Sequence, residues 1–376
     1  MRTAITATTA TEARTAGQSQ GLTRAVVDAA ALRHNLRQLR RTAPDSRVMA
    51  VIKANAYGHG LVPAAKALAE ADGFAVARLG EGLALRAAGL ANRILLLEGV
   101  FSADQLAAAA QARFELMVHS FEQLELLDAL TGDARVTAWI KVDSGMNRLG
   151  FRLDDFSAAY ERLRRNVHVH ADPTLVTHLA SADDRRDPQT RRQLDAFAAA
   201  TSGLAGARSI ANSAGVLAWP TARADWVRPG LMLYGVSPFP SGTGAELGLR
   251  PAMTLRTEVI AVKDVKAGET VGYGGSWTAT RDTRMAVVAA GYGDGYPRGS
   301  RSGTPVQIGG RRAPLIGRVS MDMITVDVTD LPVVAVGDTV VLWGSEIPVE
   351  EVAAHAGAIA WDLLCSVSQR VPLEIG

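Results

Sequence analysis

The sequence predicts an α/β chain, a (β/α)8 barrel of the TIM type followed by a C-terminal all-β domain. Three observations carry that expectation. Between residues 47 and 234, eight short apolar runs alternate with Ala- and Leu-rich segments of helical spacing. The runs are apolar on both faces, as strands of a parallel sheet covered by helices must be. Beyond residue 250 the helical spacing stops until VEEVAAHAGA, and runs separated by Gly, Pro and Asp replace it.

Residues 1–20, MRTAITATTATEARTAGQSQ, are rich in Thr and Ala and read as a disordered extension. Their few acidic residues leave a transit peptide as a minor alternative. LTRAVVDAAALRHNLRQL reads as a strand and then a helix, and the strand at about 22–28 is free to join the β domain. The barrel takes 21–250. Its strand candidates are RVMAVIK, GFAVAR, RILLLEG, FELMVHS, RVTAWIKVD, TLVTHLAS, ARSIAN and WVRPGLMLYG. Segments such as LVPAAKALAEA and QTRRQLDAFAAA supply the helices. Eight units in this span fit a closed barrel better than a doubly wound open sheet. The β domain takes 251–376, with TLRTEVIAVKDV, MAVVAAGYGDG, TPVQIGG and MITVDVTD as its strands.

Composition narrows the function. The 376 residues exceed one ordinary domain, and 48% are hydrophobic, enough for a large core. The charges, 40 Lys and Arg against 38 Asp and Glu, nearly cancel at +2, which argues against a nucleic-acid surface. The locally basic GSRSGTPVQIGGRRAP therefore reads as a solvated hairpin. Cys365 is the single cysteine, so there is no internal disulfide and nothing points to an oxidising compartment. In LLCSV it reads as a small buried hydrophobe. No run reaches the roughly 20 apolar residues of a membrane helix, and the chain reads as cytoplasmic.

Chemistry in a barrel gathers at the C-terminal ends of its strands. Lys53 closes the run VMAVI. Lys141 and Arg148 lie in IKVDSGMNRLG, His178 ends the sixth strand, Asn212 and Ser213 follow the seventh, and Arg228 and Gly230 lie in the eighth. Each is weak alone, because a strand-end Lys usually snorkels to water and a lone His is usually structural. His178 with Asp183 and Asp184 lacks a second ligand cluster, so no metal is expected. Together these residues form a site with several cations, one His and a Gly/Ser rim, which suits a phosphorylated anion. An amine nearby points to a carbonyl partner through a Schiff base. Amine, phosphate cradle and barrel point to pyridoxal 5′-phosphate.

VIKANAYGHG, KVDSGMNRLG, THLASAD, ANSAG, VRPGLMLYG, VGYGGSW, GYGDGYPR and GRVSMDM resemble the signature blocks of the alanine racemase family. They stand in the family's order across residues 22–372. The resemblance implies a pyridoxal-phosphate barrel with a β domain, in a head-to-tail homodimer with shared active sites. It implies interconversion of L-alanine and D-alanine, for cell-wall peptide or for catabolism, by proton transfer between two bases. Lys53 would hold the cofactor and act as base on one face. Tyr273, from the partner's β domain, would act on the other. Tyr57, Asn212, Ser213, Gly230 and Leu231 would bind the cofactor, mostly at its phosphate. Arg148 would contact the cofactor's phenolic oxygen and the substrate carboxylate. Lys141 matches a position carbamylated in several members. Met321, through its backbone N–H, and Tyr292 would lie near the substrate carboxylate, with Asp322 at the entrance.

Arg228 would face the pyridine nitrogen. A guanidinium cannot accept the ring proton, so the ring stays neutral and the carbanion short-lived. Tyrosine has a reference pKa of ~10, so a Tyr base needs positive charge nearby. Arg228 and His178 are the candidates, in a hydrogen-bond network reaching Tyr273. Three positions depart from common family residues: Leu179, Ser320 and Gln369, the last where some members place a phosphate-binding Tyr. The alternatives at this point are a racemase for serine or another small amino acid, a non-catalytic pyridoxal-phosphate-binding protein, and a barrel decarboxylase.

Overall fold

The computed structural model describes residues 21–376; the extension expected at 1–20 lies outside them. Strand β1 (Arg24–Val27) and helix α1 (Ala29–Thr42) come first. Eight parallel strands then close on themselves. They are β2 (Arg47–Val51), β3 (Gly73–Val76), β4 (Arg93–Leu96), β5 (Glu115–Val118), β6 (Thr137–Lys141), β7 (Thr174–Val176), β8 (Arg208–Ser209) and β9 (Trp226–Val227). Arg47 pairs with Trp226, which shuts the ring. The fold is a (β/α)8 barrel with an all-β domain.

The double-sided apolar strands have a direct cause. Met49, Val51, Ala75, Leu95, Met117, Trp139, Val176 and Trp226 fill the barrel interior. The alternate residues, such as Val48, Ala50, Phe74 and Ile94, pack outward under the helices. The N-terminal end is stoppered by polar groups. Glu115 accepts from Trp139 Nε1 at 2.6 Å and from Arg93 Nη2 at 3.0 Å. The guanidiniums of Arg47 and Arg93 lie over the Trp226 ring at 4.3 and 4.8 Å. Access is therefore left at the C-terminal end.

The β domain contains β10 (Met253–Val265), the hairpin β11 (Thr270–Val271) and β12 (Trp277–Thr278), then β13 (Thr283–Val288), β14 (Pro305–Ile308), β15 (Arg311–Ile316), β16 (Ile324–Asp327), β17 (Thr339–Trp343) and β18 (Leu373–Ile375). The large sheet runs β13-β16-β15-β14-β17-β10-β1-β18, and β13 pairs back onto β10. β10 pairs with β1 and β17 up to Glu258 and with β13 from Val259 onward, with a register shift between Val259 and Ala261. β1, from the start of the described chain, sits between β10 and β18, with Val27 opposite Met253 and Ile375.

Two polar anchors, the buried Asn35 and the half-buried Glu350, fix the segment joining the domains. Asn35 Nδ2 donates to the Leu233 and Arg250 carbonyls at 2.9 and 2.8 Å, and its Oδ1 accepts from Arg250 N at 2.8 Å. Glu350 Oε1 accepts from the N–H groups of Ser237 and Gly244, each at 2.9 Å.

Three expectations need correction. The run WVRPGLMLYG is a strand only over Trp226–Val227; Pro229 cannot extend the ladder and Leu231–Tyr234 forms a 3-10 turn. Lys53 and His178 do not end strands; each lies two residues beyond one, β2 and β7. Cys365 is exposed, because its helix, Ala360–Ser366, turns the preceding Leu363 and Leu364 into the core. No helix among the described residues is long and apolar enough to cross a membrane.

Candidate active site

A cavity of about 550 Å³ opens at the C-terminal mouth of the barrel. Its wall brings together Lys53, Tyr57, Lys141, Arg148, His178, Asn212, Ser213, Arg228, Gly230 and Leu231. Each comes from a strand end or the loop after it.

Lys53 and Tyr57 bracket an unusual turn. Ala54, Asn55, Ala56 and Tyr57 all have φ between 52° and 55°, the left-handed helical region, with no glycine among them. That region costs L-residues about 1–2 kcal/mol each, so the turn stores on the order of 4 kcal/mol or more. Both flanking side chains end up facing the cavity. The sequence held no signal for this handedness.

Four cations line the cavity: Lys53, Lys141, Arg148 and Arg228. None has a carboxylate within salt-bridge distance among the described residues. The acids on the wall, Glu98 and Asp183, do not balance them; Glu98 faces Arg78 at 3.5 Å. Mutual repulsion and burial pull Lys141 down to about 8, burial acting most and Arg228 and Arg148 next. Such a cluster is a docking place for an anion.

Arg228 is buried and held on three sides. Nη1 donates to Ser209 Oγ at 2.6 Å, and Nη2 to the Thr177 carbonyl at 2.6 Å and towards His178 Nδ1 at 3.4 Å. Burial lowers it to about 10, so it stays charged at neutral pH. Its Nε takes no partner among the described residues. Burial, and then Arg228, Lys141, Arg148 and Lys53, hold His178 well below the usual histidine range. His178 is therefore neutral. This corrects its expected role as a cation favouring a phenolate.

One end of the cavity is built from small groups. Ser213 Oγ accepts from the N–H of Gly230 at 3.0 Å and of Met232 at 3.3 Å. A Cβ on Gly230 would come within 2.6 Å of the Tyr57 hydroxyl, so only glycine leaves that space open. Burial, with Cys365 adding to it, pushes Tyr57 up to about 12, keeping a neutral O–H donor. Asn212 Oδ1 accepts from Gly215 N at 2.9 Å and sets the Ser213 loop. Donors at one end, a free guanidinium N–H and an amine at the other fit pyridoxal phosphate.

Arg148 sits on a loop folded by Asp143, whose Oδ1 accepts from the N–H groups of Gly145, Met146 and Asn147, each at 3.0 Å. The β-domain residues behave differently. Tyr273 is 67% exposed, and Met321 and Tyr292 are also exposed. None of the three lines the cavity of its own chain. Tyr292 N donates to the Ser320 carbonyl at 3.1 Å, and Arg370 joins Asp322 and Asp294, each at 2.8 Å. The network expected between Tyr273, His178 and Arg228 exists within one chain only as the His178–Arg228 contact. Leu179 is on the wall, whereas Gln369 is exposed and off it. Met146 and Leu149, inside the KVDSGMNRLG block, also line the cavity, as do Glu98, Pro238 and Trp361, which no sequence signal marked.

The family model described as alanine racemase, N-terminal domain, matches residues 27–238, and the one described as alanine racemase, C-terminal domain, matches 252–375. The chain belongs to the alanine racemase family. An alanine racemase of Aeromonas hydrophila is 50% identical over 350 residues, 93% of this chain and 98% of that one. One from Yersinia pestis is 51% identical over 350 residues with the same shares. The crystal structure of the biosynthetic alanine racemase from Pseudomonas aeruginosa superposes with a TM-score of 0.92 at 47% identity, covering 95% of this chain and 99% of that one. The alanine racemase of Acinetobacter baumannii gives 0.89 at 37% identity, covering 95% and 100%. Matches to racemases over both the barrel and the β domain set aside the non-catalytic reading.

Proposed function

We propose that Lys53 and Tyr273 are the two acid/base groups of this enzyme and that Tyr273 reaches the cavity from a partner copy of the chain. The enzyme is a pyridoxal 5′-phosphate-dependent racemase that interconverts L-alanine and D-alanine. One observation carries the site reading: Lys53 lies in the cation-lined cavity, while Tyr273 stands exposed on the β domain of the same chain. A homodimer of head-to-tail chains joins the two halves. A cytoplasmic location suits a chain with one cysteine and no long apolar helix among its described residues.

Pyridoxal phosphate, when bound, supplies an aldehyde that condenses with an amine and a conjugated ring that draws electrons from the substrate Cα. Lys53 takes the Cα proton from one face, and Tyr273 gives one to the other; the reverse direction exchanges their roles. Tyr57, Ser213, Gly230, Leu231 and Asn212 hold the phosphate end. Arg228 keeps its own proton and leaves the ring nitrogen unprotonated. Arg148 receives the substrate carboxylate, aided by the Met321 N–H and Tyr292. Carbamylation of Lys141 joins Nζ to carbon dioxide with loss of a proton, converting a cation beside Arg148 into an anion that orients it.

The test is incubation with pyridoxal phosphate and L-alanine in heavy water. D-alanine carrying solvent deuterium at Cα is expected. Deuterium entering L-alanine without D-alanine would remove one of the two bases from the scheme.

A further inference from the structure

The left-handed turn Lys53–Tyr57 needs something to hold it, and two side chains outside it do so. His59 is fully buried, with Nδ1 3.0 Å from the Ala56 carbonyl and 2.9 Å from the Tyr57 carbonyl. Two acceptors facing one nitrogen require that nitrogen to carry the proton. Nε2 is buried without a partner among the described residues. The ring is neutral, since burial lowers it to about 4. It also packs on Tyr234 at 4.6 Å, which itself stacks on Tyr57 at 4.8 Å. At the other end of the turn, Glu81 Oε1 accepts from Ala54 N at 2.7 Å, while its Oε2 accepts from the N–H groups of Ala77 and Arg78 at 2.9 and 3.1 Å. One carboxylate thus ties the turn to the loop after β3.

We propose that His59 and Glu81 are positioning residues that clamp the turn in its left-handed form, so that Lys53 and Tyr57 both point into the cofactor cavity. Neither side chain lines the cavity, so each acts through the turn. Without the clamp, right-handed backbone is favoured for Ala54, Asn55 and Ala56, and one of the two flanking side chains must leave the wall. The proposal rests on Lys53 being the cofactor's lysine.

The experiment uses full-length His59→Phe, which keeps the ring and removes the N–H, and Glu81→Ala. Pyridoxal phosphate affinity and circular dichroism in the cofactor's visible band are measured beside the thermal midpoint of the cofactor-free protein. Each variant is expected to bind pyridoxal phosphate about tenfold more weakly, with an altered visible dichroism. Ala54→Gly, which makes the left-handed conformation cheap, is expected to restore affinity in the His59→Phe background to within about threefold. Wild-type affinity and dichroism in both variants would overturn the clamp. So would a loss that Ala54→Gly leaves unrepaired, because His59 would then act by packing alone. If His59→Phe does not fold, Glu81→Ala and Glu81→Gln carry the same test. Borohydride trapping of the cofactor on the wild-type chain, read by peptide mass, separates the premise: trapping at another lysine would remove the role of Lys53 itself.

Discussion

Nη2 of Arg228 lies 3.4 Å from Nδ1 of His178, so at the cavity wall the imidazole accepts from the guanidinium. An imidazole that accepts there carries no proton on that nitrogen. Burial and the surrounding cations enforce this. Of this pair the positive charge sits on Arg228 alone, whose carbonyl and hydroxyl partners keep it fixed. The site gains a permanent cation at one point and a neutral imidazole beside it.

Two buried neutral histidines make stability depend on pH. His59 falls from 6.5 to about 4 on folding, and His178 falls as well. Each binds its proton more weakly when folded, so the unfolded chain takes up more protons below pH 6.5. Their contribution is intact above that pH and is lost as pH falls from 6.5 towards 4. For His59 the full loss is about 3 kcal/mol. Urea midpoints of wild type and His59→Phe, taken from pH 7 down to 4.5, are expected to converge, because the variant lacks this titration. A gap that stays constant would refute the assignment.

Lys141 offers a second pH test. With its amine at about 8, roughly a tenth is neutral at pH 7 and roughly nine-tenths at pH 9. Only the neutral amine adds carbon dioxide. Carbon-13 bicarbonate is expected to give a carbamate resonance that strengthens over this range, until falling dissolved carbon dioxide limits it, and that vanishes in Lys141→Gln. A resonance that survives in Lys141→Gln would exclude this lysine.

The proposed shared site has a numerical consequence. Lys53→Ala and Tyr273→Phe chains are each expected to be inactive as pure dimers. Mixed at random, half of the dimers hold one chain of each kind, and each of those has one intact site. About a quarter of wild-type activity should return. Proven mixing with no recovery would place Tyr273 in its own chain's cavity or outside the reaction.

The sequence was informative where structure is local and periodic. Barrel strands such as Val48–Val51 are covered on both sides, so their apolar runs survive any choice of face. Lys141, His178 and Arg228 were legible because barrel chemistry sits at strand ends. The turn at Ala54–Tyr57 was not, since its handedness is imposed by His59 and Glu81, the latter from a different βα unit, and not by a glycine. Cys365 misled because one helical position separates an inward leucine from an outward neighbour. Glu98 and Trp361 were invisible because they meet the cavity only after the chain has closed.

The phosphate end can be tested by adding one carbon. Gly230→Ala puts a Cβ within 2.6 Å of the Tyr57 hydroxyl and 3.2 Å of its ring carbon Cζ. The alanine therefore drives the Tyr57 hydroxyl out of the cradle it forms with the Ser213 hydroxyl, whose Oγ accepts from the Gly230 N–H. Two donors then cannot converge on one phosphate, and pyridoxal phosphate affinity is expected to fall at least about tenfold, ~1.4 kcal/mol. Tyr57→Phe alone removes one donor and is expected to cost a similar amount. The double variant separates clash from contact. With the hydroxyl gone, the alanine meets only the ring edge, so Gly230→Ala should cost clearly less in the Tyr57→Phe background than in wild type. Equal costs in both backgrounds would mean that the two residues do not share the phosphate, and Gly230 would be needed for its backbone alone.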